Sequence, residues 1–198
     1  MDDLNVIDRF TETFVRYIDS GFGLLDQDVA FLTTVLIAID IVLAGLFWAL
    51  DENQNVVAQL LRKVLYVGAF ALILNNFAFL AGVIFDSFAG LGLKAAGSTI
   101  GPDDLLRPGF VAAAGFEASY PLLTEAGELV GFSTLFGDNF VTIVVLLLAW
   151  LIVLLAFFIL GVQLFVTIIE FKLTTLAGFI LVPFALWNKT AFLAERVL

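Results

Sequence analysis

FVTIVVLLLAWLIVLLAFFILGVQLFVTIIEFKLTTLAGFILVPFALW, residues Phe140–Trp187, holds only two charged residues, Glu170 and Lys172, in a tract dominated by Val, Leu, Ile, Phe and Ala. A bilayer crossing takes about 20 apolar residues at a rise of about 1.5 Å each, so the tract is about twice the length of one crossing. It reads as two membrane spans, about 140–169 and 173–187, joined at a tight polar knuckle. Glu170 and Lys172 are two apart, so on a helix they point to different sides and pair poorly; a turn suits them better. The knuckle reads as a solvated turn at the interface, with Lys172 holding the topology. Contact with a cytoplasmic partner is the sharper alternative. Pro183 in the fourth span frees a backbone carbonyl and predicts a helix kink.

The rest of the chain agrees with a membrane solvent. Hydrophobic residues make up 62% of it and charged residues 14%, with 22 Phe, well above the apolar share of an ordinary globular domain. Cys is absent, which excludes disulfides and thiolate chemistry. His is absent too, removing the usual general base and the commonest zinc ligand. No catalytic constellation is visible: the Gly90-Leu91-Gly92 stretch lacks the Lys of a phosphate loop. No enzyme, cofactor or metal site is therefore expected. A net charge of −10 speaks against a stable nucleic-acid-binding surface. The acidic start (Asp2, Asp3, Asp8) lacks the basic region of a signal peptide, so the first span is expected to insert as an uncleaved anchor.

Outward from the tract, the spacing predicts an all-α membrane protein with about four transmembrane helices. An N-terminal amphipathic helix and a long, partly helical outer segment complete it. In residues 1–28, Leu4, Ile7, Phe10, Phe14, Tyr17 and Ile18 share one helical face. Asp8, Arg9, Glu12, Arg16 and Asp19 take the other, and Gly21 and Gly23 end the helix. This helix lies on the membrane or on a partner, or else packs on the rest of the chain. Residues 29–88 form a first transmembrane hairpin, with spans at about 29–50 and 64–88. Residues 89–139 are mixed in character and read as a periplasmic or interfacial segment of short amphipathic helices, about 105–120 and 121–130. Residues 140–198 form the second hairpin. Arg62 and Lys63 in a short loop, with Lys172, place those turns inside and the N-terminus outside.

Four polar residues fall where lipid should be. Asp40 lies mid-way along the first span, Asn75 and Asn76 mid-way along the second, and Gln163 in the third. A bare carboxylate at the bilayer centre costs about 2.5–3.5 kcal/mol on insertion scales. One reading has Asp40 lining an aqueous path, as in a small ion- or proton-coupled transporter. The other has it neutral and hydrogen-bonded to Asn75 or Asn76, fastening two helices. The second is favoured, since no further acid or base lies at matching depth to form a relay. Gln163 reads as interhelical glue.

Three stretches resemble the TrbL family of polytopic inner-membrane components of conjugative type IV secretion systems. They are EFKLTTLAGFILVPFALWNKTAFLAERVL (Glu170–Leu198), LLRKVLYVGAFALILNNF (Leu60–Phe77) and FDSFAGLGLKAAG (Phe85–Gly97). The resemblance implies a multi-pass protein of the bacterial inner membrane with a periplasmic N-terminus. It implies a homo-oligomer in contact with membrane lipid, partnered by minor and major pilins and by inner-membrane scaffold subunits. The DNA–protein substrate would meet it only in transit. Such a protein supports conjugative DNA transfer and pilus assembly as a channel or scaffold. Relatives in the family are longer, with at least one further span, so the chain is expected to be truncated or shortened at its C-terminal end.

Overall fold

The computed structural model describes residues 5–50, 55–97, 101–130, 139–187 and 189–195. Among these the chain is helical without strands: α1 (Asn5–Ala49), α2 (Val56–Asn75), α3 (Phe77–Ala96), α4 (Pro102–Leu105), α5 (Pro108–Leu129), α6 (Phe140–Leu181), a 3-10 turn (Val182–Leu186) and α7 (Ala191–Glu195). Four helical stretches are long and apolar enough to cross a membrane: Val6–Ala49, Val56–Asn75, Phe77–Ala96 and Phe140–Leu186. Their large side chains stay uncovered, as at Phe31 (68% exposed), Phe47 (69%), Val141 (69%) and Ile152 (65%). In water such surfaces would drive association; in lipid they need no cover.

The number of span-forming helices agrees with the sequence expectation, but their division does not. Gly21 and Gly23 do not end a helix, because α1 runs through both. Gly21 is used for packing: a Cβ there would stand 3.0 Å from a methyl of Leu176. Hydroxyls along α1 are satisfied by the helix itself, with Thr11 donating to the Ile7 carbonyl (2.8 Å) and Thr33 to that of Val29 (2.7 Å). The expected amphipathic faces are also partly reversed. Asp8 and Thr11 are buried, whereas Phe14 and Tyr17 are exposed. Leu4 lies outside the described residues.

The expected second span is broken at Asn76. There α2 stops and α3 starts, with Asn76 capping α2 through its backbone N–H and donating from its side-chain amide to the Leu72 carbonyl at 2.9 Å. A side chain that satisfies nearby backbone competes with helix continuation. The expected knuckle, in contrast, does not exist. Glu170 and Lys172 lie inside the unbroken α6, a helix about 63 Å long at 1.5 Å per residue. Lys172 therefore marks no inside turn. Pro183 does not kink a span either: it sits buried in the 3-10 turn where α6 ends. The two short helices expected near 105–120 and 121–130 are one, since α5 continues through Pro121.

The described helices fall into two compact units. The first takes residues 1–14 and 89–169, and the second residues 15–88 and 170–198. In the first unit α5 lies against α6, and the start of α1 meets the start of α5. In the second, Val29, Leu74, Phe179 and Val182 form a small core with Phe22, Leu25, Phe70 and Phe77 around it. Phe179 sits between Phe22 and Phe77, with ring centroids 5.3 and 6.0 Å away, and Phe85 stacks on Phe171 at 4.4 Å.

Candidate functional site

Within the second unit, Asp40 on α1 meets Lys63 on α2 as an ion pair. Asn55 starts α2 by accepting the Ala58 N–H at 3.1 Å, and two turns on, that helix delivers Lys63 to α1. The side chains of Asp40 and Lys63 retain only 14% and 24% exposure. This corrects the expected hydrogen bond from Asp40 to Asn75 or Asn76. Asn76 spends its amide on its own helix, and Asn75 borders a separate cavity of about 240 Å³ beside Phe22 and Asp26. The expected polar cluster is thus not assembled; Gln163 is exposed on α6.

Lys63 also borders a cavity of about 430 Å³ with Arg62, Gln59, Tyr66 and Trp48. A second ion pair joins Lys172 to Asp19, with its amine 2.9 and 3.0 Å from the two carboxylate oxygens. So two of the four charged residues read from the sequence as topology or partner contacts, Lys63 and Lys172, are held by acids on α1. Glu170 points to the surface, and Arg62 is exposed.

The first unit holds a site the sequence reading missed. Asp8, 8% exposed at its side chain, accepts the Gly109 N–H at 2.6 Å and the Arg107 Nε at 3.1 Å. Arg107 and Pro108 begin α5, so the carboxylate satisfies an N–H that the first turn of a helix leaves open and meets the positive end of its dipole. Just beyond, α5 and α6 approach closely at positions where one of the two helices carries a glycine. A Cβ on Gly115 would collide with the Phe157 side chain, and one on Gly161 would stand 3.0 Å from the Pro108 carbonyl oxygen. The local signal was present: Gly109, Ala112, Gly115, Ser119 and Ala126 recur at helical steps, the pattern by which membrane helices pack closely. Asp8 carried no such signal, because its partners lie about a hundred residues away in sequence.

These features fasten helices. Among the described residues no three acids, His or Cys come together to hold a metal. A family model described as TrbL/VirB6 plasmid conjugal transfer protein matches residues 37–198. No curated protein and no solved structure matches the chain.

Proposed function

The chain belongs to the TrbL/VirB6 family of plasmid conjugal transfer proteins, and from that premise we propose that it is a non-enzymatic inner-membrane channel or scaffold subunit of a type IV secretion system. The observation that carries the reading is the family match over most of the chain, on a framework of helices that leave their apolar sides bare. The chain is a membrane protein of a conjugal transfer system. Its helices anchor a homo-oligomer, and neighbouring copies, pilins and scaffold subunits cover part of the exposed apolar surface. The oligomer supports transfer of the DNA–protein substrate and assembly of the pilus. Arg62 and Lys63, in the first turns of α2, favour a cytoplasmic location for the connection between α1 and α2 and hence a periplasmic N-terminus.

Polar groups in lipid associate helices by hydrogen bonds and ion pairs, not by a hydrophobic drive, and Asp40–Lys63 serves that end here. The test is plasmid transfer from a donor lacking this protein. Transfer should fall to background and return with the gene supplied in trans. Transfer at the normal frequency without it would sink the proposal. Cross-linking in the complemented donor should recover pilin or scaffold subunits with this chain.

A further inference from the structure

Hydropathy assigns α5 to the outside of the membrane, because Glu117, Glu125 and Glu128 interrupt it. Its packing says otherwise. Pro108 and Ala112 lie against Gly161, and Gly115 lies against Phe157. As residue numbers rise along α5 they fall along α6, so the helices run antiparallel in close contact. At 1.5 Å per residue α5 is about 33 Å long and reaches from the level of Gly161 back towards the start of α6. That part of α6 carries no charge, and its far side stays bare, with Val145, Ile152 and Ile159 all more than half exposed. Any crossing placed in the charge-free tract 140–169 overlaps the part of α6 that α5 covers.

We infer that α5 is embedded in the bilayer alongside α6, with its Glu117–Glu128 edge fronting water that reaches membrane depth. Four of the five buried residues of α5, Pro108, Gly115, Ser119 and Ala126, fall on one side of the helix. Glu117, Thr124 and Glu128, at steps of seven and four, fall on the opposite side, and all three are exposed. Phe116 and Leu123 lie between these two faces and are exposed as well. Counting from Gly115 at Phe157, Glu117 stands near the level of Leu155, in the middle of the charge-free tract. An ionised carboxylate turned to lipid there costs about 2.5–3.5 kcal/mol. The edge therefore turns to an aqueous path, and the Phe116 and Leu123 flank turns to lipid. The inference rests on the membrane placement of α6 and not on conjugation, so it and the transfer test fail separately.

The chain has no Cys, and the positions needed are all exposed, so single cysteines can be placed without displacing a packed neighbour. The full chain in liposomes is labelled with a fluorophore at Leu123→Cys, Phe116→Cys or, as a reference on α6, Ile152→Cys. Lipids brominated near the bilayer centre should quench the α5 labels to within about twofold of the reference. Quenching at Ile152→Cys with none at Leu123→Cys and Phe116→Cys would overturn the embedding. Separately, a membrane-impermeant thiol reagent should modify Glu117→Cys and Thr124→Cys at least about tenfold faster than Leu123→Cys. Equally slow reaction at all three would overturn the water-facing edge.

Discussion

In the first unit, α5 and α6 come close where one of them carries a glycine. Gly115 and Gly161 bring backbone against Phe157 and Pro108, and a buried acid, Asp8, caps the start of α5. In the second unit, Phe22, Phe70, Phe77 and Phe179 fill the space between helices, and Asp40–Lys63 and Asp19–Lys172 tie α1 to α2 and α6. Small-residue contact depends on close van der Waals fit and has no slack. Aromatic packing spreads its contacts over many atoms and tolerates adjustment, so there the charges become the sensitive points. The difference teaches where each unit should fail: the first at single methyl groups, the second at single charges.

The largest effect is expected at Lys63. Replacing it with Met leaves the Asp40 carboxylate without its counter-charge, and breaking this partly buried pair costs up to about 3 kcal/mol. Asp40→Asn should cost less, because the long Lys63 stem lets its amine reach towards the interface. The double variant should recover much of the loss. Thermal unfolding of the purified protein in detergent reads the order of the three, and plasmid transfer should follow it. Asp40→Asn that unfolds normally yet abolishes ion flux in liposomes would instead make Asp40 a transport residue.

Next comes Gly115. Gly115→Leu puts a side chain into Phe157, and over-packing of a fitted contact costs about 2 kcal/mol. The same change at Gly45, where a Cβ meets nothing within 4 Å, should be neutral in the unfolding assay. Equal effects at both positions would remove the distinction between the units. A smaller loss is expected for Asp8→Ala, which leaves the Gly109 N–H without its acceptor, at about 1 kcal/mol. Asp8→Asn keeps an acceptor and should recover part of it; no difference between the two variants would mean that the capping bond contributes nothing.

How much of this was legible follows from what each signal depends on. The membrane solvent and the helical class come from composition and run length, which are summed over many residues and survive local errors. Helix ends come from single residues, and these misled in both directions. Gly21 and Gly23 looked like stops, but a helix supported by lipid and by Leu176 tolerates them. Asn75 and Asn76 looked like fasteners, yet Asn76 turned to its own backbone and ended α2. Glu170 and Lys172 looked like a turn because they cannot pair with each other. Lys172 pairs instead with Asp19, far off in sequence, and the helix needs no break. Lys63 was singled out for topology and Asp40 for hydrogen bonding, and only the fold joined them. Partners separated by whole helices leave no trace in local spacing.

The weakest of the four contacts is also the clearest check on the unbroken α6. The Asp19–Lys172 side chains keep 44% and 28% exposure, and an exposed pair contributes under about 1 kcal/mol. Lys172→Ala should therefore shift unfolding only slightly, far less than Lys63→Met, although both remove a lysine paired to α1. Salt should erase the small effect, because exposed charges are screened within about 10 Å at 0.1 M, and should leave the Lys63 effect largely intact. A residue at an inside turn would behave differently: its charge would hold orientation, and Lys172→Ala would change which side of the membrane a reporter at residue 172 faces. Unchanged sidedness together with a small, salt-sensitive loss of stability is the outcome expected of a lysine within one continuous helix.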